Sequence, residues 1–299
     1  MNPEPIADRI WPGRKAAIEP LGGGITNHNF KVSFGVDTYV LRIGGKDTEL
    51  LGIARAVEYA ATLAAAAAGV GPEVVTFVEP EGYLVTRFIE GRPIPPEEMR
   101  RADTTRRVAA ALRRFHQGPP IPGRFDSFRI VEAYLETAEA HGVRAPAEYA
   151  EANRVANEIE RARGPQPLRP CHNDLLNANF IDDGAAIRIV DWEYAGMGDV
   201  FFDLANFAVN HELDAAGEET LLAAYFGKAK RHDLASLRLM RFMSDFREAM
   251  WGVVQQGISE LDFDFVGYAG QHFARLERTA ADERFFESLE TAHAAGPQS

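Results

Sequence analysis

The chain has 299 residues, a formal net charge of −12 and 46% hydrophobic residues. That length and apolar content can bury a full core as one large domain or two lobes, while the acidic balance and a pI near 5.2 argue against nucleic acid or an anionic membrane as the main partner. A single cysteine, Cys171, excludes an internal disulfide and a multi-cysteine metal site, and fits a reducing compartment. No N-terminal apolar segment has the form of a signal peptide. The longest uncharged run, Tyr59 to Pro72, is Ala-rich and falls short of the ~20 apolar residues that span a bilayer, so a soluble, cytoplasmic protein without membrane insertion is expected.

In chain order, Met1 to Glu19 read as an irregular lead-in with one helical turn. Leu21 to Phe34 and the following DTYVLRIGG read as two or three antiparallel strands joined by a glycine-rich connection. Gly22, Gly23 and Gly24 lack Cβ atoms, so backbone N–H groups there can close on phosphate oxygens, with Thr26 and Asn27 next in line. Taken alone, such a triplet is more often a turn. Arg42 interrupts an otherwise apolar strand, which by itself reads as an outward, solvated residue. LLGIARAVEYAATLAAAAAG is helical, with Glu58 flanked by Val57 and Ala61.

GPEVVTFVEPEGYLVTRFIEG supplies two more strands around a turn at Pro80 to Gly82, completing a five-stranded lobe, and the prolines of GRPIPPEEM mark a crossing. From Glu97 the pattern is mostly helical. Val108, Leu112 and Phe115 form one apolar stripe, and His116 closes that helix as a packing residue. Two further helices lie between Ser127 and Arg163. After DWEY a helix is expected to begin near Asp199, capped by that carboxylate. Helices continue to about Ala280, and the charged tail beyond reads as a fraying end.

Chemistry is concentrated in CHNDLLNANFIDDGAAIRIVDWEY, from Cys171 to Tyr194. Asp174 is followed five positions later by Asn179; after an apolar run come Asp191 and then Glu193. An amide and a carboxylate presented from adjacent loops can hold a hard cation such as Mg2+ against a triphosphate, leaving Asp174 free as a base. Each position alone is an ordinary turn former; the ordered set is what points to a phosphotransferase site. The spacing resembles the HxDxxxxN segment and later Asp of the protein-kinase-like fold. DWEY in place of DFG, followed by GDVFFDLANF, points to its small-molecule branch. HNDLLNANF, VDWEYAGMGDVFFDLANF and WGVVQQGISELDFDF resemble the choline/ethanolamine kinase family, relatives of the aminoglycoside phosphotransferases.

That resemblance implies an α+β, bilobal protein-kinase-like fold, with residues 1–90 as a nucleotide-binding lobe built on a five-stranded antiparallel sheet and residues 91–299 as a mainly helical catalytic and acceptor-binding lobe. It implies ATP and Mg2+ as cofactors, Asp174 as the catalytic base and Asn179 with Asp191 as metal ligands; Glu193 is a further metal or substrate carboxylate. Arg42 takes the place of the phosphate-binding lysine, a role its planar fork suits, paired with Glu58 or, alternatively, Glu49. His172 and Asp203 support the catalytic loop, and backbone between Val85 and Glu90 meets adenine. Ser244, Glu248, Trp251 and Gln255 share one helical face. Trp251 and Tyr268 fit the aromatic walls that hold a quaternary ammonium in choline kinases; Glu248 departs from the second Trp of some eukaryotic relatives and would favour an ammonium with N–H donors or add Coulomb attraction for any cation. Core packing for Trp251 and solvation for Glu248 is the structural alternative. The expected acceptor is a small cationic alcohol, choline first and ethanolamine second. Thiamine, an aminoglycoside or a sugar are the alternatives, as is a binding protein on a degenerate kinase fold, and oligomeric state is open.

Overall fold

The computed structural model describes residues 2–22 and 27–295; Gly23, Gly24 and Thr26 of the glycine-rich connection lie outside them. The lead-in is more ordered than the sequence suggests. It forms α1 (Glu4–Ile10), held because Trp11 packs 5.2 Å from both Phe34 and Tyr39, and the first strand already starts at Ala17.

β1 (Ala17–Leu21), β2 (Asn27–Phe34), β3 (Asp37–Gly44), β4 (Val74–Val78) and β5 (Tyr83–Arg87) form one antiparallel sheet in the order β1-β2-β3-β5-β4. Strand alternation sorts β3 into two faces. Tyr39, Leu41 and Ile43 are buried in an apolar cluster with Val32 and Val85, whereas Val40 and Arg42, one residue out of phase, line a cleft on the other side. α2 (Arg55–Ala67) carries its buried Glu58, Ala61, Thr62 and Ala65 at helical spacing.

The chain leaves the sheet through β6 (Arg92–Pro93), which pairs with β8 (Phe180–Asp182), itself paired with β9 (Ile187–Ile189). The crossing is therefore stitched to the hairpin that carries the motif. α3 (Pro96–Met99), α4 (Ala102–His116), α5 (Ser127–Ala140) and α6 (Tyr149–Arg163) precede β7 (Leu168–Cys171), which pairs with β10 (Gly196–Asp199). Asp199 caps α7 (Val200–Asn210) by accepting from Phe201 N at 2.9 Å.

α8 (Ala215–Phe226), α9 (Arg231–Ile258), α10 (Phe265–Ala280) and α11 (Glu283–Ala295) complete the larger lobe. α9 is its axis: every residue from Phe242 to Gln255 is buried, packed against α5, α7, α10 and α11. The expected fraying tail is instead the helix α11. Phe285, Ser288 and Ala292 make a buried stripe, with Phe285 5.9 Å from Phe242 of α9; the charged residues between them had masked that periodicity. Among the described residues no helix is long and apolar enough to cross a membrane.

Candidate active site

The segment after β7 is fixed from behind by α7. Asp203 Oδ2 accepts from His172 N at 2.7 Å and its Oδ1 from Asn173 N at 2.6 Å. His116 Nε2 lies 2.9 Å from the same carboxylate. Burial alone would push the Asp203 carboxyl up, but the His116 contact and the backbone donors outweigh it and hold it below its usual range. One turn on, Asn206 accepts from Leu175 N at 2.6 Å and donates to Ser244 Oγ at 2.9 Å, so Ser244 braces the loop from α9. Asn173 itself sits in the left-handed region at φ 66°, and so does Asp191 at φ 67°. Such backbone persists only where surrounding bonds over-determine it.

His172 is neutral by construction. Its Nε2 donates to Val190 O at 3.0 Å while Nδ1 accepts from Asp174 N at 3.2 Å, and burial lowers its pKa. The imidazole therefore ties the two chemical loops together. Trp192 anchors the second loop by donating Nε1–H to Ile189 O and packing 4.3 Å from Phe115.

Asn179 and Asp191 both line a cleft of about 300 Å³ between the lobes, together with Gly22, Arg42, Glu58, Phe88 and Ile89. Asn179 Nδ2 donates to Asp174 O at 2.8 Å. That bond fixes the amide orientation and leaves its carbonyl oxygen as the group available to a cation. The donor set, one amide oxygen and carboxylates, fits a hard divalent ion.

Above this floor lies an ion network spanning both lobes. Arg42 Nε stands 2.7 Å from Glu58 Oε1; Nη2 pairs with Asp191 and lies 3.3 Å from Glu193 Oε2. Glu49, the alternative, is an exposed residue of the 3₁₀ turn Thr48–Leu51, whereas the ion pair is made by Glu58. A second guanidinium, which the sequence reading missed, belongs to Arg55. It donates to Glu58 Oε2 at 2.7 Å, Asn27 Oδ1 at 2.9 Å and Thr48 Oγ1 at 3.1 Å, and approaches Glu193 Oε2 at 3.5 Å. Asn27 Nδ2 also donates to Glu193 Oε2, at 2.8 Å. Gly44, opposite Asn27 on β3, leaves the space: a Cβ there would come within 2.7 Å of Arg55 Nε. Burial lowers and the carboxylates raise the Arg42 pKa, with a net rise. Burial and the neighbouring Asp191 push Glu193 up.

Asp174 faces the other way, toward α9. It is 8% exposed, and burial pushes its carboxyl up to about 7 against the opposing pull of Arg247. Arg247 Nη2 donates to Asn173 O at 2.5 Å and to Asp174 Oδ1 at 3.2 Å, while Nη1 lies 3.1 Å from Glu248 Oε1. Glu248 Oε2 accepts from Tyr268 Oη at 2.8 Å. Trp251 meets Tyr268 edge-on at 5.5 Å and donates Nε1–H to Tyr194 Oη at 3.0 Å. Glu248 is 3% exposed, a buried and doubly partnered carboxylate rather than a solvated charge. The arrangement thus has two halves on either side of the Asp174 loop: a cleft lined by ionic groups, and an aromatic cluster holding a carboxylate.

A model of the phosphotransferase enzyme family matches residues 17–240. A probable choline kinase of Arabidopsis thaliana is 27% identical to this chain over 86% of it and 84% of its own length. The solved structure of a choline/ethanolamine kinase family protein from Mesorhizobium loti is 33% identical and superposes with a TM-score of 0.84, covering 97% of this chain and 98% of the other. LicA, solved in complex with AMP, shares the fold at 23% identity with a TM-score of 0.76 over 93% of this chain and 96% of its own.

Proposed function

The chain belongs to the phosphotransferase enzyme family and within it to the choline/ethanolamine kinase family, a small-molecule kinase that draws on a nucleotide and acts on an alcohol; from that premise we propose that it transfers the γ-phosphate of ATP to a small cationic amino alcohol, choline first and ethanolamine second. The observation that carries the acceptor is the buried cluster in which Glu248 and Tyr268 are hydrogen-bonded, Trp251 packs against Tyr268, and Asp174 is reached through Arg247. An indole, a phenol and a carboxylate at one place suit an ammonium group, by cation–π attraction and by charge.

In this reading the acceptor hydroxyl gives its proton to Asp174 as its oxygen bonds to the γ-phosphorus and the bond from that phosphorus to the ADP oxygen breaks. Asn179, Asp191 and Glu193 would hold Mg2+, which when bound offsets charge on the phosphates. Gly22, Gly23, Gly24, Thr26 and Asn27 would meet the triphosphate, and Arg42, braced by Glu58, would bind its oxygens with a planar fork. His172 and Asp203 keep Asp174 in place without transferring protons. We divide the chain into a nucleotide lobe of residues 1–90 and a catalytic and acceptor lobe of residues 91–299, and assign the protein to the cytoplasm.

The test is an acceptor panel with ATP and Mg2+ on the wild-type protein, read by coupled ADP release and by detection of the phosphorylated alcohol. Turnover of choline or ethanolamine is expected. Inertness of both, with a neutral sugar or an aminoglycoside phosphorylated instead, overturns the acceptor assignment.

A further inference from the structure

Arg247 and Glu248 are consecutive on α9, so their side chains leave the helix about 100° apart, as 3.6 residues per turn requires. Ordinarily one of the two would face water. Here both are enclosed, at 1% and 3% exposed, because the helix is buried all round at this level. A guanidinium without water is tolerated only with near-complete pairing. Both terminal nitrogens of Arg247 are partnered, with Asn173 O and Asp174 Oδ1 on Nη2 and Glu248 Oε1 beside Nη1, and the Tyr194 ring lies 5.2 Å from its centre, while Nε has no hydrogen-bond partner. Tyr194 in turn receives Trp251 Nε1–H, and Trp251 packs on the same Tyr268 that donates to Glu248. The contacts close a ring from the guanidinium through Glu248, Tyr268, Trp251 and Tyr194 back to the guanidinium, with Asp174 joined to it through Arg247.

We propose that Arg247 is a positioning residue that couples the base to acceptor recognition. It occupies Oδ1 of Asp174, which leaves Oδ2 as the oxygen that meets the acceptor hydroxyl, and with its other nitrogen it fixes the carboxylate of Glu248. One rigid fork thereby sets the distance between the oxygen that takes the proton and the group that holds the ammonium. A lysine keeps the charge but offers a single point, so it cannot hold both oxygens in register. The inference rests on the proposed readings of Asp174 as the base and of Glu248 as part of the acceptor site.

The experiment is steady-state kinetics on Arg247→Lys, Glu248→Gln and the double variant, with thermal midpoints measured alongside. For Arg247→Lys, kcat should fall roughly a hundredfold, the scale of a 1 Å misplacement of a reacting group, while KM for ATP stays within about twofold because the uniform binding of nucleotide is untouched. Glu248→Gln should act mainly on the acceptor KM. In the double variant the acceptor KM should rise by less than the product of the single effects, since both residues act through one contact. A kcat for Arg247→Lys within about threefold of wild type overturns the proposal. So does a loss in which ATP KM and thermal midpoint move in step with kcat, the mark of a purely structural residue. If the wild-type protein phosphorylates no amino alcohol, the acceptor reading fails and the coupling to Glu248 falls with it; the same kcat comparison on acceptor-free ATP hydrolysis then reads the positioning of Asp174 alone, which loss in Arg247→Lys supports and an unchanged rate rejects.

Discussion

The two sides of the site solve the same problem, charged groups out of water, in different ways. On the nucleotide side, Arg42 and Arg55 stand among Glu58, Asp191 and Glu193, and the groups come from β2, β3, α2 and the loop after β9. Asp191 keeps 18% of its side chain exposed, and Arg42 lines an open cleft. On the acceptor side one guanidinium serves two carboxylates, nearly everything is enclosed, and Arg247, Glu248 and Trp251 ride on a single helix. The first set can be re-paired when a ligand arrives, since the partners belong to different elements. The second is a packed cluster whose geometry is set by its shared helix. The difference teaches that burial and shared scaffold, rather than the number of ion pairs, decide which half of a site is rigid.

The sharpest way to break this contrast is at the point where the halves meet. Asp174→Ala should reduce kcat by roughly 10²–10⁴, the contribution of a positioned general base, with folding and nucleotide binding retained. Turnover within about tenfold of wild type would remove Asp174 from its role.

Next in size is Arg42. Arg42→Ala should raise KM for ATP by about tenfold or more and lower stability, because the buried carboxylates of Glu58 and Glu193 are left to share Arg55 alone. Arg42→Lys, retaining the charge, should recover the stability but only part of the ATP affinity. If acceptor kinetics changed while those for ATP did not, the assignment of β3 to the nucleotide side would be wrong.

On the rigid side, Trp251→Ala should raise the acceptor KM by roughly tenfold, for a lost cation–π contact of ~1–2 kcal/mol, and leave KM for ATP nearly unchanged. Equal effects on both substrates would mean that the indole serves packing alone.

The smallest effect separates the two halves most cleanly. Gly44→Ala places a methyl against the Arg55 head, and the flexible side chain can yield. A rise of about two- to fivefold in KM for ATP, with the acceptor KM unaltered, is expected for a shift of a few tenths of an ångström in one ligand of a network. A change in acceptor KM instead would show that the networks are not independent.

The spacing of His172, Asp174, Asn179 and Asp191 was legible in the sequence because these residues lie on one hairpin, where local order carries the geometry. The five strands and most helices were legible for a related reason, since alternation and helical stripes are properties of neighbours in the chain. α1 and α11 were not. Each owes its order to aromatic contacts made elsewhere, Trp11 on Tyr39 and Phe285 on Phe242. Arg55 and Arg247 were missed for the same cause. An arginine on a helix reads as surface charge, and nothing near it in sequence announces a partner 138 or 73 residues away. Composition and local pattern thus determined the kind of fold and the order of the chemical groups. Which charges are enclosed, and which residue holds the base against the acceptor carboxylate, was decided only when α9 was surrounded on all sides, because burial is what turns a solvated guanidinium into a fixed one.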